Sequence, residues 1–242
     1  MRLVSVLLAG AALTVAAAAQ GTIRNSAHDF SSAAWNTNPT GTASNQRVKP
    51  GQVCGVCHIP HVGGRGITAD DRISQPLLWG RKMSTVTYTM YTSPTINGTT
   101  DPQPTGSSRL CLSCHDGSVA LDLYHRRTIS VANEYVPGDY RVPGKPVTTP
   151  GTDFGADHPI SIAYNPGTGA GQDPNLRPIT DPFAGTVSGQ TIADILEGNK
   201  VQCSSCHDVH NVEVPTGSQN LLRIQNNNPA SPSALCLACH IK

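Results

Sequence analysis

The sequence predicts a mostly irregular, coil-rich fold with a few short helices, ordered by something other than its own apolar side chains. Three observations lead there. The 242 residues suffice for one ordinary domain or two small ones, yet they include 23 glycines and 19 prolines, and only 5% are aromatic. No long apolar run follows the first twenty residues. Such a chain could be disordered, but disorder usually needs high net charge, and this one is 14% charged with a formal charge of +1. That balance also gives no electrostatic bias toward nucleic acid or an anionic membrane. Core-poor domains recruit disulfides or metal groups to gain order, and the eight cysteines are arranged to do so.

Every cysteine belongs to a Cys-x-x-Cys-His string. The strings are Cys54–Cys57–His58, Cys111–Cys114–His115, Cys203–Cys206–His207 and Cys236–Cys239–His240. This spacing is the signature of covalent haem c attachment. Two thiols add across the two vinyl groups of one porphyrin, so they sit a few residues apart, and the next residue, His, lies under the iron. A disulfide framework, zinc sites and thioredoxin-like pairs compete as readings. None of them explains a histidine after each pair. With nine histidines in 242 residues, chance puts one after all four pairs about twice in a million. The expectation is four haems, with His58, His115, His207 and His240 as proximal ligands and a core formed by the stacked haems.

An electron-transfer haem takes a second axial ligand, commonly His or Met. Five histidines remain, His28, His61, His125, His158 and His210, and beyond the first residue the methionines are only Met83 and Met90. Bis-histidine ligation at all four haems is therefore expected. It leaves no open iron position and points to electron transfer rather than catalysis. His61 and His210 stand in matching strings, Cys-His-Ile-Pro-His and Cys-His-Asp-Val-His. On a helical turn each would share a face with the His three residues before it. Neither can reach around its own porphyrin, so each should ligate a neighbouring haem. His158 precedes Pro159, which stiffens the loop, and Asp157 is a candidate partner for its ring. His28 is isolated near the mature N-terminus. His125, beside Arg126 and Arg127, is taken as the spare.

The N-terminus reads as a secretory signal over residues 1–19, with Arg2, an apolar stretch Leu3–Val15 and small residues Ala17–Ala19. That stretch is short for a membrane span, and none is expected in the mature chain. Residues 20–242 read as one tetrahaem domain of two doubled-haem units. Each holds a string with an extra His followed by a Leu-Cys-Leu string. The units cover about 20–136 and 173–242, joined by a Gly/Pro/Thr-rich segment, Pro137 to Gln172. Helices are expected on each string and over Thr191–Glu197, where Ile192, Ile195 and Leu196 share a face. A strand is expected around Thr128–Val131, and Asn97-Gly98-Thr99 marks a surface loop.

The ordered set of His-Asp-Phe-Ser at His28, Cys-Gly-Val-Cys-His-Ile-Pro-His at Cys54, Cys-Leu-Ser-Cys-His-Asp-Gly at Cys111, Asp-His-Pro-Ile-Ser at Asp157 and Gln-Cys-Ser-Ser-Cys-His-Asp-Val-His at Gln202 resembles the tetrahaem cytochromes of metal-reducing bacteria and archaea, some of which polymerise into conductive extracellular filaments. It spans nearly the whole mature chain. One departure is Gly80-Arg81-Lys82 after Trp79, where such proteins often carry a histidine. The resemblance implies closely stacked haems and, for some members, filament assembly. The expected function is therefore electron transfer as a secreted filament subunit at the cell surface, exchanging electrons with redox proteins or extracellular acceptors. His28 near one end and His240 near the other suggest a head-to-tail homopolymer in which His28 caps a neighbour's haem. A soluble periplasmic carrier is the alternative, and a multihaem enzyme is the least favoured reading.

Overall fold

A computed structural model describes residues 23–24, 26, 28–31, 53–58, 79–81, 83–118, 141–142, 145–146, 152–183, 189–210, 212, 221–225 and 229–241. The signal segment, His61, His125 and Thr128–Val131 lie outside these residues. Regular structure among the described residues is sparse. In chain order it comprises α1 (Gly106–His115), β1 (Arg141–Val142), β2 (Lys145–Pro146), β3 (Ile162–Ala163), α2 (Ile192–Ile195), β4 (Lys200–Val201), α3 (Cys203–Cys206) and α4 (Ala234–Leu237). No described helix is long and apolar enough to cross a membrane.

The longest helix, α1, carries the second string. Its first turn is capped from a distance, because the Glu197 carboxylate accepts the Ser107 N–H at 2.8 Å. A carboxylate there satisfies an orphan donor and complements the helix dipole. Gly106 makes this approach possible. It sits at φ +52°, and a Cβ would lie 2.7 Å from Glu197 Oε1. The helix closes with the Asp116 N–H bonded to the Leu112 carbonyl, followed by Gly117 at φ +73°, the usual left-handed exit.

The strings differ in local structure. The third forms the single turn α3 and α4 begins the fourth, but the first makes only a turn, with the His58 N–H bonded to the Cys54 carbonyl at 2.8 Å. A helix there, as expected from sequence, is absent. The expected helix over Thr191–Glu197 is shorter, because Leu196 is already extended and Gly198 and Asn199 both take positive φ. That turn feeds β4, which pairs antiparallel with β3, Ile162 opposite Val201. Asp194 anchors the start of α2 by accepting both the Thr191 N–H at 2.8 Å and its hydroxyl at 2.7 Å.

Side-chain packing contributes more than the composition suggests. One cluster gathers Tyr164, Phe183, Ile192, Ile195, Ile224 and Ala238, and it backs the fourth string. The other joins Tyr88, Leu112 and Phe154, and it backs the second. Leu112 and Ala238 each lie between the two cysteines of a string, so both Leu-Cys-Leu strings are seated on apolar cushions. The joining segment is itself packed, since Phe154 and Tyr164 are core residues of the two clusters.

Phe183, 1% exposed, sits in the cluster behind the fourth string. Phe183→Ala should cost about 3–5 kcal/mol of unfolding free energy, read from urea unfolding followed by far-UV circular dichroism.

Candidate functional site

Three of the four string histidines face a histidine from outside the strings. His115 faces His28 with ring centroids 6.0 Å apart, His58 faces His210 at 6.2 Å, and His240 faces His158 at 6.4 Å. The planes meet at 56°, 23° and 70° respectively. The nearly parallel pair is too far apart for face-to-face contact, which needs atoms about 3.5–4.0 Å apart. The distances match another geometry. An imidazole nitrogen binds a first-row metal at about 2.0–2.1 Å and lies about 1.1 Å from its ring centre, so two rings on opposite sides of one iron have centroids about 6 Å apart. Each ring can rotate about its metal–nitrogen axis, so the three interplanar angles are all compatible. The residues present therefore fit a bis-histidine haem at three strings.

The His28 ring meets His115 of the same chain. Its Nδ1 is buried and has no hydrogen-bond partner among the described residues. Burial, with His115, His207 and His210 nearby, holds its pKa down at about 4. It is neutral at ordinary pH and keeps the lone pair a ligand needs. The chain reaches this position through a tight turn, with the Ser26 hydroxyl accepting the His28 N–H at 3.1 Å and Asp29 accepting the Ser31 N–H and hydroxyl.

His210 is reached differently from the expected shared helical face. His207 is extended, at φ −111° and ψ 133°, so α3 ends before it. The Asp208 carboxylate instead folds a turn, accepting the His210 N–H at 3.1 Å and the Val212 N–H at 2.8 Å. This turn carries His210 away from His207 and onto His58. His158 is fixed by its own backbone. Its Nδ1 lies 3.0 Å from the Pro159 carbonyl, an acceptor, so Nδ1 donates and the bond orients the ring. The Pro159 carbonyl, rather than the expected Asp157, is its partner.

A largely apolar cavity of about 320 Å³, partly open to solvent, touches the first three strings together. His28, Trp79 and Arg223 also line it. The fourth string lies outside that lining. Burial pushes Cys57 and Cys206 up to about 12. Cys203 is drawn down to about 7, chiefly by the hydrogen bond from the Cys111 thiol, so the second and third strings adjoin at their sulfurs. All eight cysteines are free, and among the described residues no group of three or more His, Cys, Asp or Glu converges as a zinc site would need.

Sequence reasoning missed several supporting residues. Trp79 bridges His58 through the backbone and meets its ring edge-on at 5.7 Å. Arg81 is fully buried and its guanidinium lies 3.5 Å from the Val56 carbonyl. Asp29, Asp116 and Asp208 are buried, and each directly follows a histidine. That threefold His-Asp pattern was a readable signal. Asp116 accepts the Tyr88 hydroxyl at 2.6 Å, and burial followed by this bond raises the Tyr88 pKa.

No family model matches the chain, and no curated protein matches it.

Tyr88→Phe deletes a hydrogen bond to the buried Asp116 carboxylate next to His115. The expected loss is about 1.5–3 kcal/mol, read as a fall in the urea midpoint at unchanged slope.

Proposed function

We propose that this chain is an electron-transfer protein whose four Cys-x-x-Cys-His strings attach four haem c groups with two histidines each. The observation that carries the reading is the pairing. Each of three string histidines faces a non-string histidine at a separation that suits one iron between them. Bound haem c supplies a one-electron iron couple, tuned by its axial ligands and surroundings. The cysteines fix the porphyrin edge. Burial holds His28 as a neutral ring, and the Nδ1 contact with the Pro159 carbonyl orients His158. With both axial positions taken by protein, substrate has no place to bind iron, which favours a carrier over an enzyme.

His61 is assigned to His207 by reciprocity. His210, three residues after His207, faces the first string, and by the same spacing His61, three residues after His58, would serve the third. His125 is then the spare. The surface character of the fourth string makes it the candidate point of electron exchange, since Cys236 and His158 are exposed and Ile241 is 46% exposed.

The wider proposal, carried by the resemblance, is that secreted copies stack into an extracellular conductive filament. The contact of His28 with His115 of its own chain supports a filament joint built from other residues. A soluble periplasmic carrier is the second reading.

The purified mature protein should exceed its polypeptide mass by four haems and give a low-spin visible and paramagnetic resonance spectrum. His210→Ala should turn one haem high-spin and leave the other three low-spin. A mass with fewer than four haems, or a high-spin signal in the wild type, would overturn the reading.

A further inference from the structure

We propose that Gln202 is a positioning residue that sets the relative placement of three haem sites without touching any iron ligand, an inference that rests on the tetrahaem reading above. Gln202 is 2% exposed and directly precedes Cys203 of the third string. Its Oε1 accepts the Ser108 hydroxyl at 2.6 Å and the Ser161 hydroxyl at 3.0 Å. Its Nε2 donates to Thr105 Oγ1 at 3.3 Å. Ser108 lies on α1, three residues before Cys111 of the second string. Ser161 lies three residues after His158, which faces the fourth. One carboxamide thus ties together elements of the second, third and fourth sites.

The surrounding bonds lock the tie. Ser108 Oγ also accepts the Cys203 N–H at 2.9 Å, and Ser161 Oγ accepts the Thr105 N–H at 3.0 Å. Thr105 Oγ1 donates to Asp101 at 2.8 Å, and Lys200 Nζ donates to the same carboxylate. Ser108 and Ser161 are fully buried. Ser161 takes φ +54°, a left-handed conformation costly for a residue with a Cβ, and such strain persists where the surroundings over-determine it. Buried polar networks of this kind give a unique arrangement when fully satisfied and lose it when one member is removed. Contacts that only stabilised the fold could be spread anywhere. These converge on the segments that carry a cysteine pair or a facing histidine.

The test compares wild type, Gln202→Met and Gln202→Glu as haem-loaded mature proteins. Mass and low-spin spectra report attachment and ligation, and the Soret circular dichroism couplet reports haem–haem geometry. Gln202→Met keeps the side-chain length and removes every bond. It should retain four low-spin haems but lose most of the couplet. Gln202→Glu, measured at mildly acid pH where a buried carboxyl stays protonated, keeps the acceptor oxygen and should restore the couplet. A wild-type couplet in Gln202→Met, or a Glu variant as defective as Met, would overturn the proposal. Should Gln202→Met fail to fold, Ser161→Ala cuts the bonds of Ser161 Oγ to Gln202 and Thr105 and leaves the Gln202–Ser108 bond in place, and an unchanged couplet there would equally overturn it. Fewer than four haems in the wild type would instead sink the tetrahaem reading itself.

Discussion

Three histidine pairs from distant parts of this chain meet with ring centroids 6.0–6.4 Å apart. The separation of paired imidazoles is the constraint on which the rest of the architecture depends. It fixes how far α1 stands from the turn at His28, how far the Asp208 turn must carry His210, and where the His158 loop must lie relative to α4. Under the proposed reading an iron spans each gap, and the chain's task is to hold opposed nitrogens at a set distance.

A coil-rich chain performs that task with small local devices rather than long elements. Asp29, Asp116 and Asp208 each bond backbone N–H groups two or more residues ahead, and such turns need no helix or sheet behind them. Two apolar clusters back the second and fourth strings, and a polar network binds the second to the third. The sites differ in support accordingly. The first leans on Trp79 and Arg81, whereas the fourth is backed by a cluster on one side and open to solvent on the other.

The chemistry-bearing residues were legible because covalent haem attachment, as proposed, would impose a rigid local spacing. Cys54 to His58 can be read without knowing any long-range contact. The partners were legible only as a set. Counting histidines gives five candidates for four places, but nothing local to His28 or His210 names the ring it meets across the fold. His28 has an isolated sequence context, and the burial of its ring comes from segments far along the chain. The clusters were missed for a related reason. Phe154, Tyr164 and Phe183 sit singly in Gly- and Pro-rich stretches with no periodicity, so only tertiary contact reveals them as core. The helical face invoked for His210 failed because α3 ends at Cys206, and the Asp208 turn that replaces it was signalled only by the repeated His-Asp.

The pairing of His58 with His210 also bears on the order in which the molecule is made. Each five-residue string is local and is complete as soon as it emerges. The ring facing His58 comes from more than half the chain further on, and the ring facing His115 comes from before it. During synthesis or export from the N-terminus, the second site has both its imidazoles once His115 appears, while the first waits for the last fifth of the chain. Maturation would thus pass through an interval in which one iron has a vacant axial position, exposed to solvent and to small ligands. Closing that interval requires a long-range contact, a step that is slow in proportion to its sequence separation and is a natural point for cellular assembly factors to guard.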